Sequence, residues 1–120
     1  MDKEIMKGSI DILLLSLMNS RDMYGYEMVK ELKENSDELY SMSEGTLYPA
    51  LKRLETKKFL TSYWEESNTG AKRKYYQITK SGTKELSRKL KEWEKVSQLI
   101  QSSSEGKKWR QPSKPIFNES

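Results

Sequence analysis

Two β-rich segments joined by a turn constrain the fold of this chain more than any other feature. Residues 59–64 and 74–78 are rich in aromatic and β-branched side chains. Between them, Asn68-Thr69-Gly70 is a strong turn signal. The two segments predict a β-hairpin. Because an isolated two-stranded hairpin is at best marginally stable in water, it must pack against the rest of the chain.

Three helices are predicted before the hairpin and one after it. The first covers residues 3–19 and is apolar on more than one face, which indicates burial on several sides, either within one chain or against a partner. The second covers residues 24–35, and the third begins near Ser43 and ends near residue 57. Thr79 is a candidate cap for a final helix that reaches residue 101. This order predicts a mainly α (α+β) fold, a winged helix-turn-helix with a two-stranded wing and one C-terminal dimerisation helix.

The third helix has a clear inward face and an unusual proline. Ser41 and Glu44 have capping-box spacing, and Ser43 is an alternative N-cap. Pro49 lies several residues inside the helix, where it removes a backbone hydrogen bond, so we expect a tight or kinked first turn. The residues expected to face the core recur at intervals of three and four: Leu47, Ala50, Leu51 and Leu54.

The composition excludes several classes of chemistry. With 120 residues the chain is long enough for one domain. It contains no cysteine and no histidine, which rules out disulfide scaffolds, Cys/His zinc sites and histidine acid–base catalysis. We find no nucleophile–base pair, phosphate-binding loop or metal-ligand cluster, so we expect neither an enzyme nor a cofactor. The longest apolar stretch, residues 10–18, is too short to span a membrane, and no signal peptide is evident, so we expect a cytoplasmic location.

Positive charge is concentrated on the predicted hairpin and in the tail. The net charge of +4 is mild, but Lys72, Arg73 and Lys74 are contiguous beside the turn. Such a cluster creates a local field that attracts a phosphate backbone. The alternative interpretation is that Glu65 and Glu66, on the other strand, offset part of this charge, so that the cluster does not by itself indicate a phosphate partner. Further basic residues follow residue 106, in a segment without periodicity that we expect to be disordered.

The outer face of the third helix carries groups suited to DNA. Tyr48 and Lys52 are four residues apart and therefore lie on the same face. Tyrosine can donate a hydrogen bond to a phosphate, and lysine or arginine can contact phosphates or guanine edges. The alternative is that Lys52 and its charged neighbours only solvate an exposed helix. The hairpin cations favour DNA binding, because a recognition helix beside a basic wing is the arrangement of a DNA-binding winged helix.

Four motifs in order along the chain resemble the PadR family of bacterial transcriptional regulators. They are residues 24–27 (Tyr-Gly-Tyr-Glu), 45–55 (Gly-Thr-Leu-Tyr-Pro-Ala-Leu-Lys-Arg-Leu-Glu), 70–76 (Gly-Ala-Lys-Arg-Lys-Tyr-Tyr) and 78–82 (Ile-Thr-Lys-Ser-Gly). The resemblance covers roughly residues 5 to 101. It implies a homodimeric repressor that binds double-stranded DNA, with its first and last helices forming the dimer. Two recognition helices about one DNA turn apart would read a palindromic operator.

The resemblance also assigns candidate site residues. The family's DNA-contact positions fall on Thr46, Tyr48, Lys52 and the wing residues Lys72 and Arg73. The full set of candidate DNA contacts is Ser43, Thr46, Tyr48, Lys52, Arg53, Thr69, Lys72, Arg73 and Lys74.

The last helix carries a candidate dimer seam. Apolar residues recur there at a mean spacing of 3.5, which suits packing against a partner helix, although the pattern is short. The candidate dimer interface consists of Ile5, Ile12, Leu86, Leu90, Trp93 and Ile100.

Trp93 also carries a resemblance to drug-responsive members of the shorter branch of the family. In those members the two tryptophans of the dimer sandwich a flat aromatic ligand, which implies a small aromatic or multidrug-type effector that relieves repression. Asp11, Leu15 and Val96 complete the candidate effector pocket. The alternative is that Trp93 only packs the dimer seam.

The sequence predicts a division of labour along the chain. Residues 1–78 form the DNA-binding domain, residues 79–101 the dimerisation helix and residues 102–120 a flexible tail. An alternative function is a winged-helix protein-interaction module without specific DNA binding, because a fold alone does not determine function. The dependence of binding on salt separates the two functions.

Overall fold

The structure, a computed structural model, describes residues 1–107. Its helices and strands follow the predicted order, with two additions. They are α1 (Lys3–Lys7), α2 (Ile10–Ser20), β1 (Met23–Tyr24), α3 (Gly25–Asn35), α4 (Glu44–Thr56), β2 (Leu60–Glu66), β3 (Lys72–Ile78) and α5 (Lys80–Ser104). The chain divides into two compact units, Met1–Leu86 and the part that follows Leu86. The predicted winged-helix fold is therefore confirmed.

The core of the first unit is built from helices α2, α3 and α4 and the inner face of the sheet. Each fully buried aliphatic side chain contributes on the order of 1.5–3 kcal/mol by leaving water. The largest buried side chains are Leu14, Leu15, Met18, Met23, Met28, Leu47, Leu51, Leu54 and Leu60. Because α4 supplies three of these, the core fixes the orientation of that helix and hence the direction of its outer face.

The sheet is antiparallel and has three strands in the order β1-β3-β2. Strands β2 and β3 pair from Leu60 opposite Ile78 to Glu66 opposite Lys72, so each strand extends closer to the turn than predicted. Gly70, with φ of +87°, adopts the left-handed conformation that the predicted turn requires. The predicted two-stranded wing is confirmed, but the prediction missed β1. A strand of only two residues has no periodicity, and only its pairing with β3 makes it a strand.

The predicted first helix, residues 3–19, is wrong as a single element. A turn at Gly8 and Ser9 separates α1 from α2. The Ser9 N–H donates to the Met6 carbonyl at 2.8 Å, a three-residue step, and the regular ladder restarts with the Leu13 N–H bonded to the Ser9 carbonyl. Glycine has low helix propensity and serine favours turns, so this pair is a natural break.

The predicted boundary between the last helix and the flexible tail, at residue 102, is also wrong, because α5 continues to Ser104. The helix ends in a Schellman motif with Gly106 at φ of +72°. In that motif the Gly106 N–H donates to the Ser103 carbonyl (3.1 Å) and the Lys107 N–H to the Ser102 carbonyl (2.8 Å). Gly106 therefore terminates the helix, and the serines before it are helical. The remainder of the predicted tail, residues 108–120, lies outside the described residues.

The starts of α4 and α5 follow local sequence signals. Ser43 is the N-cap of α4, so the alternative capping box at Ser41 is not used. The Ser43 carbonyl accepts from the N–H groups of Thr46 (3.1 Å) and Leu47 (2.9 Å), which gives the expected tight first turn while Pro49 remains inside the helix. The Thr79 hydroxyl accepts from the Gly82 N–H at 3.0 Å, which confirms Thr79 as the cap of α5.

The second unit is described by α5 beyond Leu86 and a short turn. None of its described side chains is buried. Its exposed apolar residues are Leu90, Trp93, Val96, Leu99 and Ile100. Across residues 1–107, no helix combines the length and the apolar character needed to cross a membrane.

Candidate nucleic-acid interface

Helix α4 presents a polar face outward because its apolar face is anchored in the core. Leu47, Leu51 and Leu54 are buried, whereas Tyr48 and Lys52 on the opposite side are exposed. Lys52 makes no ion pair within residues 1–107, so its charge is available to a partner. A helix held in this way can enter the major groove with its polar face towards the bases.

The wing carries its three cations in three different environments. Lys72 is exposed and, although Glu66 lies opposite it in the register, the two form no ion pair. The Arg73 guanidinium lies over the ring of Tyr24, 4.6 Å from its centroid. The Lys74 ammonium is 3.8 Å from a Glu55 carboxylate oxygen. Of the three, Lys74 is therefore the one whose charge is paired with a carboxylate in the described chain.

Three tyrosines form a row of ring contacts across the sheet and include one on β3, the strand that carries these cations. Tyr63, Tyr75 and Tyr24 are cross-strand neighbours on β2, β3 and β1, with ring centroids 5.7 and 5.4 Å apart along the row. At one end, the Tyr63 hydroxyl donates to an Asp22 carboxylate oxygen at 2.6 Å, which raises the pKa of Tyr63 to about 12. At the other end, Arg73 covers Tyr24. The row links the wing to the segment that precedes α3.

A groove of about 460 Å³ joins α4 to the wing. Tyr48 lies on its helix side and Lys72, Arg73 and Lys74 on its strand side. The structure thus brings Tyr48 into one groove with three consecutive wing cations that follow it by more than twenty residues in the chain. Positive charge and a phenolic hydroxyl in one open groove are suited to a phosphate backbone. Four further residues line it: Tyr24, Gly25, Trp64 and Tyr76.

One of these additional residues, Trp64, could have been found in the sequence. Trp64 is opposite Lys74 in the register and is 66% exposed, so strand alternation places it on the same face as Lys72 and Lys74. Gly25 belongs to the Tyr-Gly-Tyr-Glu motif of residues 24–27, and its role becomes clear only in the structure. A Cβ atom on Gly25 would lie 2.5 Å from the hydroxyl oxygen of Tyr48, so the ring of Tyr48 lies directly on the Gly25 backbone.

Arg53, a predicted DNA contact, makes an ion pair within the protein. Its guanidinium Nη2 lies 2.7 Å from a carboxylate oxygen of Asp11, so the side chain ties α4 to α2. The same contact engages Asp11, which was predicted to line an effector pocket. Sequence spacing could not show this, because the two residues are 42 positions apart.

The other candidate DNA contacts lie outside the groove between α4 and the wing. The Ser43 hydroxyl donates to the Thr46 hydroxyl at 3.2 Å, and both line a second groove, beside α1. Thr69 lies in the hairpin turn, with its hydroxyl oxygen 2.9 Å from that of Ser67. Ser43 and Thr46 thus lie at the start of α4 and Thr69 lies at the wing turn, and none of the three is buried.

Some of the predicted effector and dimer residues are buried or partly buried in the first unit, and the others are exposed. Leu15 is completely buried in the core and offers no surface to a ligand, so its assignment to an effector pocket is wrong. Leu86 is buried within the first unit and Ile12 packs partly against its core. The exposed members are Ile5, Leu90, Trp93, Val96 and Ile100.

Comparison with known proteins agrees with this fold. Residues 14–88 match the transcriptional regulator PadR-like family. A transcriptional regulator from Clostridium thermocellum is 38% identical with a TM-score of 0.77, over 83% of this chain and 97% of that protein. A PadR family transcription regulator from Clostridium difficile is also 38% identical, with a TM-score of 0.70, over 78% of this chain and 96% of the other.

Two curated relatives are also similar in sequence, and one of them carries the PadR name. The negative transcriptional regulator PadR of Bacillus subtilis is 30% identical over 73 residues, which are 61% of this chain and 40% of that protein. An uncharacterized protein of Lysinibacillus sphaericus is 37% identical over 103 residues, 86% of this chain and 94% of its own length. With a family match over more than half its length and solved relatives that share its fold, the chain belongs to the PadR-like family of transcriptional regulators.

Proposed function

We propose that the protein is a sequence-specific DNA-binding repressor that inserts α4 into the major groove and places the β2–β3 wing against the flanking backbone. The observation that carries this proposal is the cationic groove between α4 and the wing, lined by Tyr48 and by Lys72, Arg73 and Lys74. Repression is supported by the similarity to the negative regulator of Bacillus subtilis.

Each exposed group has a role in this proposal. Lys52, which makes no ion pair within the described chain, contacts bases or phosphates in the major groove. Tyr48 donates to a phosphate from the edge of the groove. Lys72 contacts the backbone beside the wing, and Trp64 packs its ring against the sugar next to it. Arg73 and Lys74 add further positive charge. Arg73 also lies over the ring of Tyr24, and Lys74 is paired with Glu55.

We also propose that two copies associate through α5, so that residues 79–101 serve dimerisation and residues 1–78 serve DNA binding. The support is the exposure of Leu90, Trp93, Val96 and Ile100, since apolar residues repeated along one helix are stabilised by a partner. A dimer presents two copies of α4 to two half-sites of a palindrome. A small aromatic effector at Trp93 and Val96 stays a prediction, supported only by the exposure of both side chains.

The test is an anisotropy titration of the protein against DNA from its own upstream region and against a random duplex, at low and at moderate salt. The Tyr48→Ala/Lys52→Ala variant is compared with Lys80→Ala/Lys84→Ala, an exposed pair on α5 that lines neither groove. We expect salt-sensitive, sequence-selective binding by the parent. The first variant should lose at least tenfold in affinity, about 1.4 kcal/mol, and the control should retain it.

Two results would contradict the proposal. Equal binding of both duplexes, with little dependence on salt, would favour a protein-interaction module instead. Unchanged affinity of the Tyr48→Ala/Lys52→Ala variant would show that another helix reads the DNA.

A further inference from the structure

A second groove, separate from the one between α4 and the wing, lies beside α1. It has a volume of about 430 Å³. One wall is α1 and the first residue of α2, and the other is the segment between α3 and α4 together with the first turn of α4. Its lining residues are Lys3, Glu4, Met6, Lys7, Ile10, Tyr40, Ser41, Ser43 and Thr46.

The rim of this groove carries two available positive charges. Lys3 and Lys7 are four residues apart, which places both on one side of α1. Both are exposed, and neither forms an ion pair within residues 1–107. Glu4 is the only acidic residue in the lining and offsets one of the two charges. The rim therefore favours an anion.

The opposite wall belongs to the start of the proposed recognition helix. Ser43 is the N-cap of α4, and its hydroxyl donates to that of Thr46 at 3.2 Å. Ser41 adds a third hydroxyl. Hydroxyl groups at this point can bind the phosphates that flank the major groove in which α4 would lie. The second groove is thus lined by the first turn of α4, two residues before Tyr48, which lines the groove between α4 and the wing.

Helix α1 is held in place by specific local contacts. The Asp2 carboxylate accepts from the Glu4 N–H (2.8 Å) and the Ile5 N–H (3.3 Å), which caps the helix. The turn at Gly8 and Ser9 ends α1 and sets its direction relative to α2. Without that break, residues 3–7 would continue along the axis of α2, so the break determines where the two lysines lie.

We infer that Lys3 and Lys7 bind the phosphate backbone of the same DNA duplex that α4 reads, so that the protein grips the backbone on both sides of the recognition helix. This inference rests on the proposed function. The occupant is the DNA backbone because the rim is cationic and the far wall is part of α4. Met6, Ile10 and Tyr40 give part of the lining an apolar character that would also suit a small apolar molecule. A groove built for that occupant would leave the salt slope of DNA binding unchanged when the two lysines are replaced.

The experiment compares the full-length protein with Lys3→Gln/Lys7→Gln in anisotropy titrations over a range of salt concentrations. DNA from the upstream region and a random duplex of equal length serve as probes. The matched control is Lys80→Gln/Lys84→Gln, which also removes two exposed charges four residues apart on one helix. Circular dichroism melting verifies that both variants are folded.

We expect the slope of log affinity against log salt to become shallower by about 2 in Lys3→Gln/Lys7→Gln, one unit for each phosphate that the protein no longer neutralises. Affinity at moderate salt should fall roughly tenfold on both duplexes, because phosphate contacts carry no sequence information. The control should keep the parental slope. Hydroxyl-radical footprints should lose protection at the outer edges of the site and keep it in the centre.

Other outcomes overturn the inference. If the parent binds DNA and the variant keeps its slope, α1 does not contact the backbone, and the proposed function still stands. If the affinity changes with an unaltered slope, the two lysines affect DNA binding without neutralising phosphates, and the inference fails. If the parent itself shows no salt-dependent binding, the proposed function and this inference fail together.

Discussion

The position of Tyr48 depends on the absence of a side chain at Gly25. A Cβ atom there would lie 2.5 Å from the Tyr48 hydroxyl oxygen, closer than van der Waals contact allows, and 3.1 Å from the adjacent ring carbon. The clash would be with the far end of a side chain and not with backbone, so the ring can move away. Gly25 therefore acts as a positioning residue for a proposed DNA contact.

We predict that Gly25→Ala raises the Kd for DNA roughly fivefold, corresponding to about 1 kcal/mol for one displaced hydrogen bond. The free energy of unfolding should change by less than about 0.5 kcal/mol, because no backbone has to shift. Anisotropy titration and urea unfolding measure the two quantities.

A double-mutant cycle is the control for this prediction. If Gly25 acts only through Tyr48, the Gly25→Ala substitution should have no further effect on DNA affinity in a Tyr48→Ala background. Additive losses would show that Gly25 contributes to DNA binding by another route.

Arg53 and Lys52 are neighbours in sequence with different predicted effects. Arg53→Gln should lower the free energy of unfolding by roughly 0.5–1 kcal/mol, because it breaks the half-exposed ion pair with Asp11. It should leave the salt slope of DNA binding unchanged, whereas Lys52→Gln should reduce that slope by about 1. A reduced slope in Arg53→Gln would restore Arg53 to the DNA contacts.

At the scale of helices and strands, the junction between the sheet and α5 leaves no space for a side chain at Gly82. Gly82 lies in the first turn of α5, where an added Cβ atom would meet the Phe59 carbonyl oxygen and the Ile78 side chain. The Thr79 hydroxyl bonds the Gly82 N–H at 3.0 Å and donates to the Lys58 carbonyl at 2.7 Å. The start of α5 is therefore fixed against the turn that follows α4.

Gly82→Ala should destabilise the protein by about 2 kcal/mol or more, because the backbone of Phe59 must move to admit the methyl group. Thermal melting and urea unfolding measure the loss. The control is Gly8→Ala, where no atom lies within 4 Å of the added Cβ and φ is −79°. That change should be neutral or stabilising by up to about 1 kcal/mol. Equal effects of the two substitutions would contradict this account.

At the scale of the whole molecule, α5 beyond Leu86 has no buried side chain in the described chain, although it carries five exposed apolar residues. We predict that Leu90→Glu/Trp93→Glu converts the protein from dimer to monomer in analytical ultracentrifugation, because charges within an apolar seam are costly to desolvate. Affinity for a two-half-site duplex should fall at least tenfold as the second half-site is lost.

Lys91→Glu, a charge change beside the proposed seam, is the matched control and should remain dimeric. A parent that sediments as a monomer at micromolar concentration would refute the α5 dimer. It would leave the groove between α4 and the wing as the basis of DNA binding.

Local patterns in the sequence determined several features of the secondary structure of this protein. Apolar spacing fixed the buried face of α4, Asn68-Thr69-Gly70 fixed the hairpin turn, and Thr79 fixed the start of α5. These signals act within a few residues, through helix periodicity, the left-handed conformation of Gly70 and a capping hydroxyl. The outward orientation of the Tyr48 and Lys52 side chains follows from the same helix periodicity.

Tertiary structure alone decided the features that join distant segments. Strand β1 exists only through its pairing with β3, Arg53 faces Asp11 because α2 and α4 pack together, and Gly25 faces Tyr48 across two helices. Each of these contacts forms because packing of the core brings two segments that are distant in sequence close together in space. Local propensity is a short-range property of the chain, whereas these contacts are fixed by close packing of the whole first unit.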